Sequence, residues 1–500
     1  MSLRIYNTLN SQKEEFAPRR PGEVSMYVCG VTVYDDSHLG HARGSVVFDV
    51  IRRYLEFRGY TVNYVKNFTD IDDKIIQRAN EKQISIKELT EHYIDRYHQD
   101  MANLGVRQAT VEPKATDHIP GMIEMIEKLE EKGLAYELEG DVYFAVNKYQ
   151  AYGKLSGRDL EEMVSGARVG VDSRKRNPMD FALWKRSKPR EPSWDSPWGR
   201  GRPGWHIECS VMSLKYLGEG FDIHGGGQDL IFPHHENEIA QAEGSSDKPF
   251  ARYWLHNGFV NVDSEKMSKS LGNFFTIKEI LNQFPAEQIR FFLLSTHYRS
   301  PIDFSDQHLK EAGKGLERFT NSFRKVEQYL MNKDYSLPPV FDEAGEKELS
   351  NQIDQCLNKF VKAMDDDFNT ASAIGELFHL VRELNTACDD IPSSQKLHEL
   401  LSAGAGRIKE LGQVLGLFNE SHDRETPELL DSLWELASEF ASYTETREMD
   451  SLMKRIIDIR SKARQDKDWA ASDRIRQRLK ELGIKLEDHP AGTSYMIDKR

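Results

Sequence analysis

Three groups of residues have types and spacings that suit chemistry. The first is His38-Leu39-Gly40-His41. At a helix start the free N–H groups and the dipole favour an anion, and two imidazoles flanking a glycine can reach the same phosphate. The same four residues would also serve as a plain helix cap. Far along the chain, Lys266-Met267-Ser268-Lys269-Ser270 is followed by Leu271-Gly272-Asn273. Two lysines three apart among small residues suit a loop that closes on polyphosphate; a solvated surface loop is the alternative. The third group is Pro233-His234-His235-Glu236-Asn237-Glu238. In a helix His234 and Glu238 share one face, and with Cys29 and Cys209 they would make a four-ligand site of the zinc type. His235, turned roughly 100° from His234, is less suited. Buried cysteines beside a polar helix face are the alternative here.

The elements around these groups indicate how they are positioned. Residues 24–30 are short, apolar and closed by glycine, as a buried strand would be. Residues 41–58 follow with helical period, placing Val46, Val47, Val50, Ile51, Tyr54 and Leu55 on one face and Gly59 as a stop. Residues 60–65 alternate like the next strand. Strand, glycine-bearing turn, helix and strand open a parallel nucleotide-binding sheet, where ligands gather at the carboxyl ends of the strands. From 113 to 200 the pattern changes to an amphipathic helix at 119–132, a short aromatic strand at 141–146 and a Pro, Trp and Arg-rich tract, read as an insertion between two halves of the sheet. The second half resumes near Trp205, and after Leu281 long helical patterns dominate. Polar breaks at 332–339 and 419–427 separate a helical region from a small helical or mixed module.

A chain of 500 residues exceeds what one core usually serves, and predicts roughly three domains. No stretch reaches the roughly 18 apolar residues of a membrane span, and residues 1–16 lack an apolar signal core, so a cytoplasmic protein is expected, with no membrane partner. Only Cys29, Cys209, Cys356 and Cys388 occur, too few for a disulfide scaffold, and the last two fall in helical patterns that suit packing. The net charge of −14 argues against indiscriminate nucleic-acid binding. Two stretches run the other way: 168–190 has eight Lys or Arg against two Asp, and 454–480 has ten against four. A polyanion could dock on either, and a solvated charged face is the alternative.

HxGH near the amino end with KMSKS far downstream is the paired signature of class I aminoacyl-tRNA synthetases, and further blocks narrow the resemblance. Met26 to Asp35 (MYVCGVTVYD), Asn67 to Lys74 (NFTDIDDK), Asp180 to Lys185 (DFALWK), Gly204 to Ser210 (GWHIECS) and His224 to Leu230 (HGGGQDL) resemble the cysteinyl-tRNA synthetase family. The likeness runs essentially end to end, into the GIxLED core of residues 471–493. Leu39 stands where the family's motif has isoleucine. The resemblance implies an α/β fold: a Rossmann-type parallel-sheet catalytic domain in halves 1–112 and 201–255, with an inserted domain at 113–200. A KMSKS and stem-contact region at 256–315, a helical bundle at 316–425 and a C-terminal anticodon-binding module at 426–500 would follow.

It also implies the activation of L-cysteine with ATP and Mg2+, then transfer to tRNA(Cys), by a monomer. One Zn2+ per chain would sit on Cys29, Cys209, His234 and Glu238. His38, His41, Lys266 and Lys269 are the implied catalytic residues. Gly40, Gly226, Gly227, Asp229 and Lys269 are placed at ATP, Thr69, Trp205 and His224 around cysteine, and Arg474, Arg476 and Arg478 on tRNA. A cysteine ligase acting on an amino sugar is the nearest rival, but it would lack the helical region and basic tail. An RNA-binding protein with structural zinc leaves the intact signature histidines and lysines unexplained. A hydrolytic zinc enzyme lacks the His-Glu-x-x-His spacing.

Overall fold

The computed structural model describes residues 2–158, 174–189, 191–262, 265–266, 275–331, 343–390, 394–418, 427–440, 449–489 and 492–497. Lys269 and the polar breaks at 332–339 and 419–426 therefore lie outside the described residues, and Lys266 is described only as backbone of the short strand Glu265–Lys266. The chain divides into one unit of Met1–Asn321, Glu348–Glu383 and Glu410–Leu417 and another of Ser322–Lys347, Leu384–Lys409 and Phe418–Arg500.

The first unit is built on four parallel strands, ordered Ala251–Asn257, Phe221–Gly227, Glu23–Thr32 and Thr61–Thr69. The chain leaves Glu23–Thr32 toward one side and later returns on its other side, which makes the carboxyl end of that strand a topological switch point. The helix Leu39–Phe57 makes the first crossover, burying Val46, Val47, Phe48, Val50, Ile51, Tyr54 and Leu55. Residues 111–114 extend the sheet beyond Thr61–Thr69, with the amides of Lys66 and Phe68 donating to the carbonyls of Val111 and Pro113 at 3.0 and 2.9 Å.

Between the second and third strands lie the helix Ile119–Glu131 and an antiparallel sheet ordered Ala135–Leu138, Asp141–Phe144, Phe181–Arg186 and Gly201–Pro203. Its inner face packs around Phe144, Leu183 and Trp184, all fully buried. A third sheet orders Glu265–Lys266, Val260–Val262 and Ile302–Phe304. Long helices follow at Asp306–Met331, Glu343–Asp365, Thr370–Asp390 and Gln395–Val414.

Within the second unit, helices Pro427–Phe440, Met449–Gln465 and Trp469–Glu481 and the hairpin Ile484–His489 with Gly492–Ile497 share a core of Leu433, Leu436, Leu452, Ile456, Leu479 and Ile484. Arg474, Arg476 and Arg478 stand exposed on its last helix. Arg474 pairs with Glu439 at 3.0 Å and Arg478 with Glu481 at 3.6 Å, so part of the local positive charge is already met.

Candidate metal centre and active site

The strand Glu23–Thr32 shifts register between Val28 and Val31, at the point where it delivers Cys29. Gly30 is required there: a Cβ would stand 1.5 Å from the carbonyl oxygen of Asn67 on the adjacent strand. The Gly30 amide donates to Asn67 Oδ1 at 2.8 Å, and the Cys209 thiol, on the helix Trp205–Leu217, lies 3.7 Å from the same oxygen. His234 and Glu238 arrive from the segment after Phe221–Gly227. His234 is not on the α-helix itself. It sits in a kinked turn, Ile231–His235, in which Phe232 is extended, and the α-helix Glu236–Ser246 begins just beyond. The kink still leaves His234 Nε2 3.0 Å from Glu238 Oε1.

Ligand atoms of Cys29, Cys209, His234 and Glu238 all lie within 4.8 Å of one another, with the last three residues buried. Cys29 with His224, His235 and Glu238 makes a second grouping of the same span. His235 Nδ1 lies 2.8 Å from His256 Nε2, while its buried Nε2 has no hydrogen-bond partner among the described residues and stands 3.9 Å from Glu238 Oε1. His224 Nε2 lies 2.8 Å from Glu238 Oε2, so that histidine braces a carboxylate of the first grouping.

The electrostatics follow from burial and proximity. The hydrogen bond from Cys29 and the neighbouring His234 outweigh burial to bring the Cys209 thiol down to about 6. Burial and the anionic sulfur and carboxylate beside it push Cys29 well up. Burial would lower His234, but the Glu238 carboxylate overrides it and raises the imidazole to about 10. Glu238, despite burial, is held well below the usual carboxylate range by His224 and His234. A buried cluster of anionic thiolate and carboxylate has the character of a cation site, and two sulfurs, an imidazole and a carboxylate are donors that suit zinc.

The residues around this centre are less exposed than a substrate pocket would suggest. Thr69 is buried and its hydroxyl donates to Glu208 Oε2 at 2.8 Å; burial raises the Glu208 carboxyl well above its ordinary range. His224 is fully buried. Trp205, 40% exposed, lies over the His234 ring at 4.2 Å between centroids. His206, which spacing did not single out, places Nδ1 2.9 Å from His234 Nδ1. It stands three residues before Cys209 on one helix, but its contact is with His234, 28 residues away in sequence, so local spacing gives no signal for it.

The HLGH turn lies at the carboxyl end of the central strand. His38 is the N-cap of Leu39–Phe57: the Gly40 amide donates to His38 Nδ1 at 3.1 Å, and the His38 amide reaches His41 Nδ1 at 3.4 Å. The two imidazoles stack with centroids 3.7 Å apart. They therefore form a capping box at a helix start suited to phosphate. The amide of Leu39 donates to the carbonyl of Phe275 and that of Ile277 to Ser37, at 3.3 and 2.9 Å, so the chain just past residues 267–274 is tied to this turn. Fully buried Arg43 donates to the carbonyls of Phe259 and Tyr298, at 3.2 and 3.3 Å, and to Ser300, fixing the other flank.

The glycines of the HGGGQD segment pack against the protein itself: a Cβ on Gly225 would stand 2.3 Å from the Phe48 ring, and one on Gly226 2.8 Å from His235. Asp229 is exposed and lines a cavity of about 460 Å3 with Ser156, Arg158, Gln228, Ile231, Phe232 and Phe259.

A parallel sheet with its ligand groups at a switch point, and an HxGH cap beside them, is the arrangement of a class I synthetase. The model of the class I (C) tRNA synthetase catalytic domain matches residues 15–314, and that of the DALR domain residues 359–419. Similar folds include methionyl-tRNA synthetase of Mycobacterium tuberculosis in complex with methionyl-adenylate (TM-score 0.60, 15% identity, covering 79% of this chain and 90% of that one). Cysteine-tRNA ligases of Pelobacter propionicus and Desulfitobacterium hafniense are each 53% identical, with 99% of this chain and 100% of each relative aligned. The chain belongs to the cysteine-tRNA ligase family of class I synthetases.

Proposed function

We propose that this chain activates L-cysteine with ATP, releasing pyrophosphate, and transfers cysteine from the adenylate to the 3′ end of tRNA(Cys). The observation that carries this reading is the convergence of Cys29, Cys209, His234 and Glu238, from separated segments, beside the HLGH turn of a family member. These four residues would hold one zinc ion. Bound zinc supplies a soft Lewis acid that favours a thiolate over the hydroxyl of serine, a much weaker acid.

The chain's own residues do the rest. The cysteine carboxylate arrives ionised and attacks the α-phosphorus; a new P–O bond forms, the bond to pyrophosphate breaks, and no general base is required. Catalysis is then positioning and charge stabilisation. His38 and His41, with the N–H groups of the helix they cap, face the phosphates, and Lys266 and Lys269 neutralise charge as pyrophosphate leaves. Gly40, Gly226, Gly227 and Asp229 take the nucleotide, which carries Mg2+. Trp205 closes one side of the cysteine site, while His224 and Thr69 hold its wall by bracing Glu238 and Glu208. The terminal hydroxyl of tRNA then attacks the acyl carbon and AMP leaves. Arg474, Arg476 and Arg478 contribute phosphate contacts. The protein is proposed to work as a cytoplasmic monomer; no described helix is long and apolar enough to cross a membrane.

The test is charging of tRNA(Cys) with labelled cysteine and ATP, with one pyrophosphate expected per cysteinyl-tRNA. Cysteine activation without any charging of tRNA would point to a ligase for another acceptor and overturn the reading.

A further inference from the structure

The turn that carries His234 is gripped by a strap from the inserted region, residues 149–158. Glu236, fully buried and two residues past His234, accepts hydrogen bonds from the backbone amides of Gly153, Leu155 and Ser156 at 2.9, 3.1 and 2.8 Å. The next residue, Asn237, accepts from the Tyr152 hydroxyl, and farther along the helix Glu243 takes the Tyr149 hydroxyl and the Lys154 ammonium. On the other side of His234, Arg158 holds its guanidinium 4.7 Å from the centre of the Phe232 ring. Positions 232, 236 and 237 are thus all held by one short strap, and His234 lies between them.

The kinked segment before the helix has no regular ladder of its own. The α-helical ladder that would set the direction of His234 starts only at Glu236, and extended Phe232 interrupts regular geometry before it. The strap is itself tightly shaped. Gly153 has φ +95°, and a Cβ there would stand 2.3 Å from the carbonyl of Arg158; the Gly157 amide closes the loop on the Gly153 carbonyl at 2.8 Å. Glu236 has no cationic partner among the described residues, and three backbone amides converge on its two carboxylate oxygens instead.

We infer that Glu236 is a positioning residue for the metal centre: through the strap it fixes the Ile231–His235 turn, so that His234 and Glu238 meet Cys29 and Cys209 in one arrangement. The inference rests on the zinc-site reading above.

The test compares the full-length protein with Glu236→Gln and Gly153→Ala by chelator competition for zinc and by the visible spectrum after Co2+ replaces zinc. Glutamine puts an NH2 against amides that also donate. Zinc held roughly tenfold to a hundredfold more weakly, with shifted cobalt bands and unchanged far-ultraviolet dichroism, is the expected result. Gly153→Ala distorts the strap and leaves Glu236 intact, and should move both readouts the same way. If Glu236→Gln does not fold, Gly153→Ala and the exposed Arg158→Ala decide the matter. Folded strap variants with wild-type zinc affinity and cobalt spectrum would overturn the inference alone. A wild-type protein that binds neither metal would overturn the zinc-site reading with it.

Discussion

Asp49 lies on the helix that begins at the HLGH turn and is 1% exposed. Its carboxylate accepts from Arg53 Nε at 2.8 Å, from the amide of Arg107 at 3.2 Å and from the guanidinium of Arg290, also 1% exposed. The remaining donors of Arg290 end on the carbonyls of Leu104, Gly105 and Leu415, at 3.1, 3.2 and 2.8 Å, so no other carboxylate neutralises it among the described residues. Asp49→Asn keeps the shape and one acceptor but leaves a buried cation. Breaking a buried pair costs about 3–5 kcal/mol. A retained neutral hydrogen bond returns about 1 kcal/mol. The expected loss is therefore about 2–4 kcal/mol at pH 7.

The pH dependence has a definite sign. Burial alone would raise the Asp49 carboxyl, but Arg290 and Arg53 outweigh it and hold it below the ordinary value. Its stabilisation is complete above the unfolded value of about 3.9 and is lost as pH falls through it toward the folded value. Urea unfolding followed by tryptophan fluorescence, in a series from pH 7 down to about pH 4, should show a constant gap between wild type and Asp49→Asn that begins to close at the acid end. A variant within about 0.5 kcal/mol of wild type at pH 7, the range of an ordinary surface change, would refute the argument. So would a gap that widens on acidification.

Cys209→Ala should purify without zinc and without cysteine activation, whereas Cys388→Ala, whose thiol is pushed up to about 11 by burial, should retain about one zinc per chain by atomic absorption. Full zinc content in Cys209→Ala would remove that residue from the ligand set. Lys269→Ala should slow adenylate formation by about 10²–10³ in single turnover with little change in cysteine affinity, since its charge matters most as pyrophosphate leaves; weaker cysteine binding at an unchanged rate would place it in substrate recognition instead. Deleting 426–500 should spare cysteine-dependent pyrophosphate exchange, because that segment has its own core of residues 429–495. Charging of tRNA(Cys) should fall steeply and become less sensitive to salt as phosphate contacts are lost.

What was legible in the chain follows physical range. The strand at Glu23–Thr32 and the helix at Leu39–Phe57 declare themselves because apolar period and glycine punctuation act locally. The two cysteines, His234 and Glu238 were legible as a donor set, since few other residue types suit zinc. The kink at Phe232 was not: a four-residue spacing reads as an ordinary helix, and the segment past the kink is held by a strap more than 70 residues earlier in the chain. His206 and Asn67 escaped for a related reason, because their contacts with His234, Gly30 and Cys209 exist only once strands and helix converge. For HLGH the structure shows the cap reading directly, and the phosphate reading remains compatible with it, because a capped helix start still presents its N–H groups.

The most direct test of the central claim is amino-acid-dependent exchange of labelled pyrophosphate into ATP, run with each of the twenty amino acids on the zinc-loaded, full-length protein. Cysteine alone should support exchange, and serine should remain at background because its hydroxyl is a far poorer zinc ligand than a thiolate. Exchange with serine at a rate close to that with cysteine, or with cysteine at an undiminished rate after zinc has been stripped, would contradict the account.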